Sequence, residues 1–158
     1  MKRLFSVLGM LVLFGGLVSG VGNSEVSEET ALKEIMALEL GTYETYYGKS
    51  DPTTYLELFA DKATIFDAWT LDRFDDGAIN DYLMAFKGQI PILDYEILNP
   101  RVDLYGETAV FVFNVNCTNP KDGSVVIAWK GTAVFRRTRD SWERVHAHFS
   151  TAVAPPPA

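Results

Sequence analysis

Asp67 stands in the stretch Ile65-Phe66-Asp67-Ala68-Trp69, at the end of an apolar run. A carboxyl set against aromatic walls is desolvated, which raises its pKa and equips it as a general base. Around it the sequence offers an aromatic set: Tyr43, Tyr47, Trp69, Tyr82, Trp129 and Phe149. These could line one apolar cavity, with Asp67 and Asn116 as the polar groups that orient a ligand. The competing use of the same rings is to fill a core. His146 and His148 are the other chemical pair. At i and i+2 on a strand they share a face, a spacing some metal sites use. A metal needs at least one more ligand, and these are the only two histidines. No metal and no cofactor is therefore expected. Trp142 and Arg144 fall on the histidine face by strict alternation, and Val145, Ala147 and Phe149 on the other. The second set, being more apolar, suits an interior, which leaves the histidines as structural hydrogen-bonding groups.

The elements that must hold these residues run from helices to strands. Over residues 27–47, Leu32, Ile35, Met36, Leu40, Tyr43 and Tyr47 recur at steps of three or four, the signature of one helix face. Ser27 can cap that helix, with Glu28 and Glu29 at the positive end of its dipole. Asp51-Pro52 opens a short second helix carrying Tyr55, Leu56 and Phe59. Residues 63–69 read as a strand. Asp76-Gly77 starts a third helix, with Ile79, Tyr82, Leu83 and Phe86 inward and Gly88 as terminator. Beyond Pro91 the helical period vanishes. Residues 92–104, 107–118, 124–137 and 142–152 read as long strands separated by short turns, hence antiparallel hairpins. Three helices followed by such a sheet make an α+β fold.

Composition narrows the function classes. The chain has 158 residues, 47% hydrophobic and 13% aromatic, enough for one core and too apolar for a disordered chain. Its 21 acidic residues against 14 lysines and arginines give −7, with no basic block. That excludes a nucleic-acid partner, whose phosphates need clustered cations; Arg136, Arg137 and Arg139 are a hairpin tip. Lys2 and Arg3 precede an uncharged run that ends in Ser19, Gly20 and Gly22. This is the form of a secretory signal peptide over residues 1–22, so a secreted or periplasmic domain over 23–154 is expected. The alternative is an uncleaved anchor; once cleaved, no stable membrane association remains. The lone Cys117 cannot form an intramolecular disulfide and is expected to be buried. The tail 155–158 is Pro-rich and expected to fray.

Both alternating sets of 110–117, Val110, Val112, Asn114, Asn116 and Phe111, Phe113, Val115, Cys117, are substantially apolar. A sheet wet on one side alternates more cleanly. The second face is therefore expected to be covered by another copy, through Phe111, Phe113, Trp142, His146 and His148.

Three phrases carry a family resemblance: LFADKATIFDAW (58–69), NPRVDLYGETAV (99–110) and FRRTRDSWERVHAHFS (135–150). They resemble the nuclear transport factor 2-like (SnoaL-like) superfamily. The nearest likeness within it is to the association domain of calcium/calmodulin-dependent protein kinase II and its stand-alone bacterial relatives. The resemblance implies a cone-shaped α+β fold, with N-terminal helices on a curved antiparallel sheet. It also implies a pocket inside the cone, a homo-oligomer of dimer size or larger, and often no known catalytic activity. Arginines that point into the association domain's pocket are matched here by Asn116, Ala133 and Phe149, which cannot hold a carboxylate in the same way. The superfamily also contains steroid isomerases and dehydratases. Against the isomerase, Asp67 matches the catalytic base and Tyr43 the oxyanion-donating tyrosine. The second donor is missing, with Thr132 and Ala133 near its place. Losing one of two such donors costs about 3–4 kcal/mol of transition-state stabilisation.

Three readings follow. The first is an oligomeric domain whose pocket, with Tyr43, Asp67, Trp69, Tyr82, Asn116, Trp129 and Phe149, binds a small, largely apolar molecule. The second is an isomerase or dehydratase using Asp67 as base and Tyr43 as donor. The third is a structural assembly domain with a filled core.

Overall fold

A computed structural model describes residues 26–152. The expected signal peptide over 1–22 and the tail over 155–158 lie outside the described residues. Helix α1 (Glu28–Tyr46) is capped by the Ser27 hydroxyl, which accepts from the Thr30 amide. Helix α2 (Thr53–Leu56) follows after a turn over 47–52, and strand β1 (Phe59–Phe66) begins where the sequence pattern still suggested helix. A short strand β2 (Arg73–Asp75), not legible in the sequence, precedes α3 (Gly77–Met84). Four long strands complete the chain: β3 (Asp94–Tyr105), β4 (Thr108–Thr118), β5 (Val125–Arg137) and β6 (Trp142–Thr151).

The six strands form one sheet in the order β2-β1-β6-β5-β4-β3. All neighbours are antiparallel except β1 and β6, which run parallel with Thr64 beside His146 and Phe66 beside His148. The helices cover the concave face of this sheet, in which β1 pairs with the last strand, β6. Register irregularities help the bend, since an extra residue kinks a strand. One lies in β3 at Asn99-Pro100, where Asn99 has φ 51°.

A second irregularity changes which residues face inward. Phe135 pairs with Arg144 and Val134 with His146, so Val145 is the extra residue of a bulge. Strict alternation is broken there. Trp142 and Arg144 point into the core together with Ala147, while His146 and His148 point outward. The expectation that Trp142 and Arg144 share the histidines' face is corrected by this one residue.

The expected interface is corrected as well. Phe111, Phe113 and Trp142 are core residues at 4% exposure or less, packed under the helices. The convex face instead carries Val110, Val112, Asn114 and Asn116 from β4. In α1 the buried line is Ala31, Ile35, Glu39, Thr42 and Tyr43, with Leu40 at 40% exposure. The apolar stripe read from sequence is thus rotated toward a buried glutamate. Cys117 is fully buried.

Candidate functional site

A cavity of about 270 Å³ opens between the helices and the sheet. Each wall has a sequence reason. Tyr43, Tyr46 and Tyr47 come from the last turn of α1 and the residue after it. Tyr55 comes from α2, and Tyr82, Leu83 and Phe86 from α3 and its end. Ile127, Trp129 and Phe149 stand on the concave face of β5 and β6. Asp67 and Trp69 follow the end of β1, where the strand leaves the sheet and its side chains meet the opening.

At the mouth, Asp67 Oδ1 accepts the Trp69 amide N–H at 2.9 Å. This turn fixes the carboxylate and turns Trp69 over the opening, where it meets Trp129 edge to face at 5.2 Å and 89°. Trp69 remains 64% exposed. Tyr82 stacks on Phe74 at 4.1 Å and meets Phe86 edge-on at 5.3 Å. Burial, and after it the charge of Asp67, raises the Tyr82 hydroxyl above its ordinary value. The same two causes push Tyr46 up to about 12. Both hydroxyls therefore stay protonated near neutral pH and can donate.

The floor is different. Tyr43 packs against Tyr47, Tyr55 and Tyr95 at ring separations of 5.6, 6.3 and 5.6 Å. Its hydroxyl is raised well above its ordinary value by burial first and by Glu39 next. Behind it, Glu39 of α1 and Arg144 of β6 form an ion pair with both side chains fully buried. The Arg144 guanidinium lies 4.5 Å over Tyr55, 4.9 Å over Phe59 and 5.5 Å over Phe135. Glu39 Oε2 and Arg144 Nε and Nη1 find no further hydrogen-bond partner.

Of the residues selected from sequence, Tyr43, Tyr47, Asp67, Trp69, Tyr82, Trp129 and Phe149 line this cavity. Asn116 does not: it alternates with the buried Cys117, and so faces the convex side. Tyr46, Tyr55 and Phe86 also line it and were not selected from sequence as cavity residues. Tyr46 follows Tyr43 by three residues, a spacing that could have revealed it. Phe86 is 42% exposed at the rim, where the sequence pattern pointed inward. The tyrosines that feel Asp67 are Tyr46, Tyr55 and Tyr82, whereas Tyr43 answers to Glu39. His146 Nδ1 lies 2.6 Å from Thr64 Oγ1 on the convex face, away from the cavity. No group of three or more metal-ligating side chains is placed to hold an ion among the described residues.

Known proteins agree with this architecture. No curated protein matches the sequence. Among solved structures, a candidate ketosteroid isomerase from Parabacteroides distasonis is 25% identical, with a TM-score of 0.63 over 75% of this chain and 85% of that one. The association domain of C. elegans CaMKII is 20% identical, with a TM-score of 0.65 over 78% and 98%. An NTF2-like protein of unknown function from Pseudomonas putida is 22% identical, with a TM-score of 0.67 over 80% and 89%. The family model of the SnoaL-like domain matches residues 40–154, most of the described fold, and the chain belongs to that family.

Proposed function

We propose that this protein is an exported, oligomeric binding domain whose cavity receives a small, largely apolar molecule. The observation that carries the reading is the cavity itself: rings on three sides, one carboxylate at the mouth, and space left between them. A purely structural domain would gain by filling that space, because tightly packed interiors retain few voids. Mass spectrometry of small molecules retained on protein purified from its native source tests the reading. A stoichiometric organic ligand is expected. A bare protein that also fails to quench or shift its tryptophan fluorescence with any of a broad ligand panel would overturn it.

Assembly is proposed through the convex sheet face, where Val110, Val112 and Val134 sit among Asn114, Asn116 and Thr132. The likeness to a kinase association domain supports this. Export rests on the signal-like N-terminus, and a mature chain beginning between residues 21 and 23 is expected by N-terminal sequencing.

A second reading, catalysis, is favoured by one observation: Asp67 shares the cavity with protonated tyrosine hydroxyls. Asp67 would act as base. The donor would be Tyr43, or Tyr46 or Tyr82, which line the same cavity. Turnover of a Δ5-3-ketosteroid that is lost in Asp67→Asn would support it, and turnover unchanged in that variant would remove it.

A further inference from the structure

The cavity carries a charge signature. Among the described residues that line it, Asp67 is the one carboxylate, and there is no lysine, arginine or histidine. The rest of the wall is mostly ring. Aromatic faces present the negative part of their quadrupole, so a cation over them is attracted and an anion repelled. Trp69 and Trp129 meet at right angles, and Tyr82 and Phe86 form a second perpendicular pair. Such pairs offer ring faces in different directions, which is what surrounds a compact cation. Asp67 is held beside them by the Trp69 amide. A ligand carboxylate or phosphate would meet this wall with no cation to pair it.

The same molecule contains a filled version of this arrangement. Behind the floor, a carboxylate, Glu39, and three rings, Tyr55, Phe59 and Phe135, surround the Arg144 guanidinium. Carboxylate and rings together hold a cation that burial would otherwise expel. At the mouth the carboxylate and the rings are present and the chain supplies no cation of its own.

We propose that the cavity's ligand is an organic cation, a substituted ammonium group on an apolar body, with Asp67 and the rings of Trp69, Trp129 and Tyr82 as its site. This deepens the binding reading above and rests on it. The positive group sits between Asp67 and the tryptophans, and the apolar body extends toward Tyr46, Ile127 and Phe149.

Calorimetry with three probes tests it on the purified protein: phenyltrimethylammonium, its neutral isostere tert-butylbenzene, and the anion 3-phenylpropanoate. The cation is expected to bind at least tenfold tighter than the isostere, and the anion weakest of all. Asp67→Asn keeps an oxygen for the Trp69 amide, so the turn survives. It should weaken the cation at least tenfold more than it weakens the isostere. Trp69→Ala, at an exposed ring, should do the same in smaller measure. Equal or tighter binding of the isostere, or preference for the anion, overturns the cation assignment and leaves the binding reading standing. Failure of all three probes to bind overturns the cation assignment. If no member of a broader apolar panel binds either, the binding reading falls with it.

Discussion

Two ends of one aromatic cluster handle charge in opposite ways. At the floor, Glu39 and Arg144 are fully buried, bonded to each other and enclosed by rings. At the mouth, Asp67 is half-buried, accepts from the Trp69 amide, and lines the open cavity. At the floor the chain supplies both charges of the pair, joined by one hydrogen bond, with Glu39 Oε2 and Arg144 Nε and Nη1 left without hydrogen-bond partners. The mouth is the same chemistry left incomplete. A buried pair is weak evidence for stability in itself, because desolvation opposes the attraction. What it does rigidly is join α1 to β6 across the core. The mouth joins nothing that the helices and strands do not already hold. The buried ion pair and the open cavity thus separate along the cluster, with Tyr43 and Tyr55 as the wall between them.

The largest expected effect comes from breaking the floor. Arg144→Ala leaves the Glu39 carboxylate buried without its partner and should cost about 3–5 kcal/mol in denaturant unfolding. Replacing both at once, Glu39→Leu with Arg144→Met, should recover most of that loss, since an apolar pair leaves no orphaned charge. If the double variant is as unstable as the single one, the orphaned charge is not the cause of the loss.

Next comes the wall on the sheet side. A Cβ added at Gly131 would lie 2.7 Å from Phe113 Cζ, and Phe113 meets Phe149, which lines the cavity. Gly131→Ala should destabilise by about 1–3 kcal/mol through overpacking. Adding Phe113→Leu should relieve the clash. Thermal unfolding of the two variants checks the order, and no loss in Gly131→Ala would show that the ring has room to move.

At the mouth the stability effect should be small. Asp67→Asn is expected to change unfolding free energy by less than about 1 kcal/mol, because the amide oxygen still accepts from Trp69. A loss as large as that of Arg144→Ala would erase the distinction between the two ends.

The smallest effect lies outside both. His146 is held below its ordinary value of 6.5 by burial first and by His148 second. A depressed histidine binds more protons in the unfolded chain, so its contribution to stability is complete above about pH 6.5 and declines as pH falls through the folded value. His146→Gln should flatten that slope between pH 7 and 5 without touching ligand binding. An unchanged slope would assign the acid sensitivity to other groups.

Much of this was legible because it is local. The Ser27 cap and the turn separators are short-range signals, and the long strands after Pro91 are marked by the loss of the helical period between those separators. The order of elements placed the chain in its fold class. The site was legible where a residue type and an element end coincided, as at Asp67 and Trp69 behind β1. It was not legible where a side chain's direction depended on a distant event. Asn116 was placed in the cavity because both faces of β4 look alike, and only the docking of α1 tells them apart.

Sequence by itself determined the helices-then-sheet order, the family and six of the rings that line the cavity, Tyr43, Tyr47, Trp69, Tyr82, Trp129 and Phe149. Tertiary structure decided the faces. The Val145 bulge turned Arg144 inward and left the histidines outside, since one extra residue reverses every side chain beyond it. Arg144 then needed a partner, and the rotation of α1 supplied Glu39, a residue no apolar periodicity would place in a core. The parallel pairing of β1 with β6 likewise joins segments about eighty residues apart and brings Asp67 to the cavity mouth. Periodicity carries information over a few residues; which charges meet is settled only when distant strands close on one another.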